Sequence, residues 1–268
     1  MNAGVNKGFF VTGTDTGVGK TLVTVALTRA LVASGLRTAV MKPVAAGAMQ
    51  TPEGARNDDA LELLAASNVK SPYEDVNPWL LTTAASPHLA ARHEGISIGA
   101  EKVIAAYRRL AAASDVVMVE GAGGWLAPIS SVATMADIAE KLALPVIFVV
   151  GMRLGCLNHA LLTREAIRSY GLPFAGWIAN KMHSEMALAD ANIDSLASRF
   201  GVPPLGVVPA GGGGWGKEWG HSSFPPEGGK WGRASEARPH LLGNEECPHS
   251  FPQPPPWAIE VAKKLVSP

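Results

Sequence analysis

Cysteine, net charge and long apolar runs are scarce in this sequence. Its 268 residues include two cysteines, Cys156 and Cys247, whose spacing forms neither a disulfide framework nor a metal site. The 23 basic residues balance the 23 acidic ones, so we expect neither nucleic acid nor an anionic membrane as a partner. The longest apolar run, residues 142–151, is too short to cross a bilayer. These absences predict a soluble protein of the reducing cytoplasm.

A glycine-rich stretch, GTDTGVGKT at residues 13–21, follows a short apolar run and precedes a helical pattern. Strand, glycine-rich turn and helix in this order form the setting of a phosphate-binding loop. Lys20 would then reach the β- and γ-phosphates, and the Thr21 hydroxyl would bind Mg²⁺. The spacing departs from the usual pattern, because Thr14 stands where a glycine is usual. Since the apolar run leads directly into this loop, we expect no signal peptide.

Strand-like and helical segments alternate along the chain, and 47% of its residues are hydrophobic. This alternation predicts an α/β fold: a doubly wound, mostly parallel sheet with helices on both faces, similar to P-loop NTPases. The predicted strands are residues 8–12, 38–42, 116–120, 146–150, 174–179 and 206–208. The predicted helices are residues 22–34, 58–66, 100–113, 135–142, 156–170 and 187–200.

In such sheets, ligands bind beyond the carboxyl ends of the strands. Lys42 ends the second predicted strand, and Glu120 ends the third, directly before a glycine-rich turn. A carboxylate at this place is typical of the metal side of a P-loop enzyme. Asp58 and Asp59 open a predicted helix, where one of them either caps the helix or, as Asp59, faces Mg²⁺; the sequence leaves both readings open.

The segment 154–158 begins another predicted helix, directly after a strand. The free backbone amides of a helix start favour an anion such as a carboxylate. We therefore regard this segment as a candidate anion site, while its Cys156 is better suited to core packing than to catalysis.

Taken together, these motifs resemble the dethiobiotin synthetase family. The likeness runs from about Phe9 to Pro209 and is carried by FVTGTDT at 10–16, KPVA at 42–45, TPEG at 51–54, Asn57 with Asp59, NP at 77–78, SPH at 86–88, VEGAGGW at 119–125, LGCLNHA at 154–160 and GWIAN at 176–180.

The resemblance implies an ATP- and Mg²⁺-dependent ligase of biotin biosynthesis. Its substrates would be 7,8-diaminononanoate and CO₂ or bicarbonate, and its products dethiobiotin, ADP and phosphate. One amine forms a carbamate, ATP phosphorylates the carbamate, and the second amine closes the cyclic urea. The resemblance also implies a homodimer in which the second subunit completes the site for the substrate carboxylate.

Roles follow from the resemblance, position by position. The implied catalytic residues are Lys42, Lys20 and Thr16, and the implied metal ligands are Thr21, Asp59 and Glu120. The implied nucleotide-binding residues are Thr14, Asp15, Thr16, Gly17, Val18, Gly19, Lys20, Thr21, Asp59, Glu120, Asn180 and Pro209. The implied substrate-binding residues are Lys42, Ala46, Gly121, Ala122, Gly123, Gly124, Leu154, Gly155, Cys156, Leu157 and Asn158.

The chain departs from the family pattern at two of these positions. Some family members carry glutamate where this chain has Gly17, and many carry serine where it has Ala46. We expect altered substrate affinity from these changes rather than loss of the reaction.

The composition changes abruptly after Pro209. We predict a P-loop α/β catalytic domain at 1–209, an irregular segment at 210–256 and a short C-terminal helix at 257–268. The middle segment is rich in glycine, proline and tryptophan without strand or helix periodicity, which favours either disorder or an altered reading frame.

Two other functions share the phosphate loop. One is a ParA- or MinD-like switch ATPase, which typically shows a second lysine early in the loop; here those positions are Thr14 and Asp15. The other is an enzyme similar to the corrinoid amidoligases, which would leave the motifs around Lys42 and Glu120 unexplained.

Overall fold

The computed structural model describes residues 7–184, 186–211 and 253–266. Its strands are β1(Lys7–Gly13), β2(Thr38–Met41), β3(Val44–Ala46), β4(Met49–Thr51), β5(Gly54–Arg56), β6(Trp79–Leu81), β7(Val116–Glu120), β8(Val146–Met152), β9(Phe174–Lys181) and β10(Gly206–Val208). Its helices are α1(Lys20–Ala33), α2(Asp58–Ala66), α3(Tyr73–Val76), α4(Pro87–His93), α5(Ala100–Ala113), α6(Met135–Leu142), α7(Cys156–Ser169), α8(Ala189–Phe200) and α9(Pro256–Val266).

Six strands form the central sheet in the order β10-β9-β8-β1-β7-β2, and every neighbouring pair is parallel. This sheet confirms the predicted fold, and each of its strands coincides with a predicted one to within two residues. The short strands β3 to β6 and the helices α3 and α4 were not predicted. The four strands form two further two-stranded sheets, β3 with β6 and β4 with β5.

Both faces of the sheet are covered. All residues of β2, β7 and β8 are buried, which explains why these strands read as apolar runs without alternation. Neighbouring residues of β1 point to opposite sides: Phe10 belongs to one core cluster, and Phe9 and Val11 belong to the other. Because β1 lies between β7 and β8, the loop that follows it opens at the centre of the sheet's carboxyl edge.

Helix α9 returns the chain to the core after the predicted irregular segment, of which residues 212–252 lie outside the described part. It packs against α1 and β10, burying Ala258, Val261 and Ala262. The approach is close, since a side chain at Gly206 would meet Val261. No helix among the described residues combines the length and apolarity that crossing a membrane requires.

We expect Val261→Ala to lower the free energy of unfolding by about 2 kcal/mol, because it removes fully buried methyl groups and leaves a cavity beneath α9. Urea unfolding followed by circular dichroism measures the effect. Val202→Ala is the matched control, since that valine is 40% exposed. A loss in Val261→Ala no larger than that in the control would mean that the burial of Val261 adds little to the stability of the domain.

Candidate active site

The phosphate loop connects β1 to α1, which begins at Lys20. Gly17 and Gly19 have φ angles of 73° and 89°, in the left-handed region that favours glycine. A side chain at Gly19 would also collide with the amide of Asn180. Glycine adopts this backbone path without strain at both positions, and at Gly19 the contact with Asn180 leaves no room for a side chain.

Lys20 lies inside this loop. It is 6% exposed, and its Nζ donates a hydrogen bond to the backbone oxygen of Asp15 at 2.8 Å. Burial, assisted by the nearby charge of Lys42, lowers the pKa of Lys20 to about 8. A desolvated ammonium group in a glycine-rich loop is well suited to meet the charge of a phosphate chain.

Three charged side chains meet beyond the carboxyl ends of β2 and β7. Lys42 Nζ lies 2.7 Å from Asp59 Oδ2 and 2.5 Å from Glu120 Oε1. The Thr21 hydroxyl also donates to Glu120 Oε1, at 2.9 Å. The cluster therefore joins the first turn of α1, the start of α2 and the ends of two strands.

Burial and pairing oppose each other in this cluster. Burial acts to lower the pKa of Lys42, but the carboxylates of Asp59 and Glu120 outweigh it and raise that pKa. Burial likewise acts to raise the pKa of Asp59, and the ammonium of Lys42 outweighs it, so that pKa is lowered. For Glu120, which is fully buried, burial prevails over Lys42 and raises the pKa. Lys42 is thus held as a cation within the site.

The donor set of this cluster fits Mg²⁺. Thr21, Asp59 and Glu120 offer a hydroxyl and two carboxylates, and Mg²⁺ is commonly held by one or two carboxylates together with substrate phosphates. Glu120 Oε2 is buried and accepts no hydrogen bond from a described residue. No larger cluster of metal-binding side chains occurs in the described part of the chain.

A cavity of about 770 Å³ opens over the loop and the charged cluster. The predicted site residues that line it are Asp15, Thr16, Gly17, Gly19, Lys20, Thr21, Lys42, Ala46, Asp59, Glu120, Ala122, Gly123 and Gly124. Its remaining lining residues, which were not among the predicted site residues, are Ala45, Asn57, Ala84, Ala85, Ser86, Pro87, Ala127 and Pro128. The lining therefore combines charged side chains with small apolar ones. We call the apolar ones the apolar wall; they are Ala45, Ala46, Ala84, Ala85, Pro87, Ala122, Ala127 and Pro128.

Other predicted site residues lie outside the lining of this cavity. The backbone amides of Thr14 and Gly121 donate to strand carbonyls, and Val18 is buried. Pro209 lines a second cavity of about 610 Å³, together with Lys181 and His183.

Asn180 lies behind the phosphate loop. It is fully buried, and its Nδ2 donates to the backbone oxygen of Val18 at 2.9 Å. Its Oδ1 is also buried and has no hydrogen-bond partner among the described residues.

The segment 154–158 begins α7 and does not line the large cavity either. Leu154 is 98% exposed, Gly155 and Asn158 are exposed, and Leu157 is half-buried. Cys156 is buried in the core, as expected.

Two features of the site were not predicted from the sequence. The N-cap of α2 is Asn57, whose side chain accepts from the Ala60 amide at 3.3 Å, so of the two readings left open for Asp58 and Asp59, the one in which either caps the helix is wrong. Asp15 is also paired with Arg153, at 2.7 Å. Asparagine is a common N-cap, so the first feature had a local signal, whereas no local pattern reports a pair of residues so far apart in the chain.

Comparison with known proteins places these features in a family. The family described as "AAA domain" matches residues 7–211. The chain is 51% identical over 203 residues to the ATP-dependent dethiobiotin synthetase BioD of Cellvibrio japonicus, covering 76% of this chain and 89% of that protein. It is 47% identical over 203 residues to the protein of the same name from Vibrio vulnificus, with the same coverage.

Among solved structures, the chain is similar to the cell division ATPase MinD of Pyrococcus furiosus. The TM-score is 0.51 at 17% sequence identity, over 97% of this chain and 98% of that one. At this identity the likeness shows the P-loop α/β fold and nothing about function.

Proposed function

The chain belongs to the family of ATP-dependent dethiobiotin synthetases, and we propose that it joins CO₂ to 7,8-diaminononanoate at the expense of ATP, giving dethiobiotin, ADP and phosphate. One observation carries the proposal: a single cavity unites a phosphate loop, a buried Lys42 held between two carboxylates, and an apolar wall. These are the groups that a phosphoryl transfer to an alkyl carbamate requires.

Lys42 is the proposed catalytic cation. A carbamate formed from one amine and CO₂ carries a negative charge, and its phosphorylation develops further charge on the transferred group. Lys42 stabilises both charges without prior desolvation, because it is already buried and its hydrogen-bonded partners hold it in place. The second amine then attacks the carbonyl carbon of the mixed anhydride, and phosphate leaves as the ring closes.

The phosphate loop holds the triphosphate in this proposal. The loop amides and Lys20 meet the phosphate oxygens, and Thr16 and Gly17 lie where the loop faces the γ-phosphate and the substrate. Thr21, Asp59 and Glu120 would hold Mg²⁺, which would neutralise part of the negative charge of the triphosphate.

The apolar wall and the glycine turn form the proposed diamine site. Ala46, Ala122, Gly123 and Gly124 line the cavity beside Lys42, and such small side chains leave room for an unbranched alkyl chain. Gly121 fixes the turn through a backbone hydrogen bond from its amide to Val11. Serine is common in the family at the position of Ala46, so we propose that backbone amides replace that hydroxyl here.

We propose that Asn180 and Pro209 receive the adenine end of ATP. The unpaired, buried Oδ1 of Asn180 supports this, since it needs a donor such as the exocyclic amine of adenine. Pro209 and the second cavity lie at the carboxyl edge of β9 and β10. We also propose that residues 1–209 form the catalytic domain, and the family match over residues 7–211 supports these bounds.

The proposed functional unit is a homodimer. Segment 154–158 does not line the large cavity, so we propose that the helix start it forms meets a substrate carboxylate in the cavity of a second subunit. The almost complete exposure of Leu154 supports an interface at this place.

We expect Leu154→Glu to convert a dimer into a monomer and to raise the KM for the diamine by about tenfold or more, because it inserts a charge into the interface and removes the tail contact. Sedimentation equilibrium and steady-state kinetics measure both effects. A wild-type protein that sediments as a single chain while retaining full activity would contradict the dimer.

The proposed function is tested by phosphate release from ATP, Mg²⁺ and bicarbonate, with and without 7,8-diaminononanoate. We expect release that depends on the diamine and a product one carbon heavier, detected by mass spectrometry. ATP hydrolysis that depends on DNA or lipid instead would favour a switch ATPase. Binding of ATP without diamine-dependent turnover would overturn the proposed reaction.

We also propose that the protein acts in the cytoplasm.

A further inference from the structure

Lys42 is held by its backbone as well as by its side chain. Strand β2 ends one residue earlier, at Met41. Beyond that point, the amide of Lys42 donates to the backbone oxygen of Val76 at 2.7 Å, and its carbonyl accepts from Asn77 Nδ2, also at 2.7 Å. Asn77 is 3% exposed. The segment that ends α3 therefore fixes the base of the Lys42 side chain from both sides.

The partner carboxylate is fixed from the same segment. Asp59 lies in the first turn of α2, whose N-cap is Asn57. The amide of Asn57 donates to the hydroxyl of Tyr73 at 2.7 Å, and that hydroxyl donates to Asn77 Oδ1 at 3.3 Å. One chain of hydrogen bonds thus runs from the N-cap of α2 through Tyr73 and Asn77 to the carbonyl of Lys42.

This chain closes a ring around the catalytic ion pair. Lys42 and Asp59 meet through their side chains at 2.7 Å, and their backbones are joined through Tyr73 and Asn77. Tyr73 is the junction, because its hydroxyl accepts one bond and donates the next. The guanidinium of Arg56, 4.3 Å from the ring centre, packs on its face and restricts the ring.

We infer that Tyr73 and Asn77 are positioning residues that set the placement of Lys42 relative to Asp59 for the reaction. Neither residue lines the cavity, so both act through the backbones they hold. Displacement of a catalytic group by about 1 Å costs roughly 10²-fold in rate, which is why the backbone supports matter. The kinetic part of this inference rests on the proposed function, while the structural part does not.

The test is Tyr73→Phe, with Tyr107→Phe as the matched control. Like Tyr73, Tyr107 is half-buried and does not line the cavity, but it lies on α5, outside the ring of hydrogen bonds around Lys42 and Asp59. The first variant removes both bonds at the junction and keeps the ring, so folding is preserved; thermal unfolding verifies this. We expect its kcat to fall by about tenfold or more while the Kd for ATP changes by less than about threefold, and we expect the control to keep its kcat.

Crystal structures of the wild type and both variants give a readout that needs no activity. We expect the Lys42–Asp59 contact to lengthen or to split into two conformers only in Tyr73→Phe. An unchanged contact would overturn the inference, and so would an altered contact with an unchanged kcat. A lower melting temperature with both unchanged would leave Tyr73 a merely structural role. If the proposed reaction itself is wrong, the wild type will show no diamine-dependent turnover. In that case the crystal structures alone test whether Tyr73 positions Lys42 relative to Asp59.

Discussion

Replacement of Lys42 by alanine is expected to lower kcat by roughly 10²–10³-fold while the Kd for ATP changes by less than about threefold. Lys42 shares the carboxylate of Glu120 with Thr21, beside the phosphate loop. In the proposed reaction Lys42 meets charge that develops in the transition state, whereas the loop amides and Lys20 provide the ground-state contacts to phosphate. Removing Lys42 therefore removes stabilisation realised mainly during the reaction. Stopped-flow phosphate release and calorimetric titration with a non-hydrolysable ATP analogue measure the two quantities.

The variant also carries a structural cost that has to be separated from catalysis. Without Lys42, the buried carboxylate of Glu120 loses its cation, which lowers the free energy of unfolding by roughly 1–3 kcal/mol. Lys42→Gln retains a hydrogen-bond donor and is expected to recover stability but not turnover. Lys70→Ala, at an exposed lysine, is the control for loss of charge alone. Equal losses of ATP affinity and turnover in Lys42→Ala would show that Lys42 belongs to the nucleotide site instead.

The sequence predicts the central sheet well because β2, β7 and β8 are buried along their whole length and β9 along most of it. Such strands appear as short apolar runs between helical patterns, and all of them were located this way. Lys42 and Glu120 could be identified as site residues for the same reason, since each lies at the carboxyl end of a located strand. The structure adds that the two side chains touch.

The region between β2 and α5 was much harder to predict. Its strands are three residues long and partly exposed, as in β4 and β5, so neither apolar runs nor alternation mark them. Ala84, Ala85 and Pro87 of the apolar wall come from this region, and alanine and proline residues carry no chemical signature of a site. Tyr73 and Asn77 were missed as supports of Lys42 because their role depends on hydrogen bonds to distant backbone groups.

Glu120→Gln is the second variant with a large expected effect. The change keeps the size of the side chain and removes one of the two carboxylates proposed to hold Mg²⁺. We expect kcat at the wild-type Mg²⁺ optimum to fall by about 10²-fold or more, with partial recovery at higher Mg²⁺ or with Mn²⁺. Metal titrations of the initial rate measure the shift in the apparent metal affinity.

The loss of activity in Glu120→Gln should not be accompanied by a loss of stability in the ligand-free protein. Glu120 is fully buried, burial raises its pKa, and one of its oxygens has no partner among the described residues, so its charge is costly without a metal. Without ligands, we therefore expect Glu120→Gln to be no less stable than the wild type in urea. Glu62→Gln is the matched control, because Glu62 is a buried glutamate of α2 that does not line the cavity. Loss of stability in Glu120→Gln with unchanged dependence on Mg²⁺ would mean that this carboxylate serves the fold through Lys42 and Thr21, and that the metal is held elsewhere.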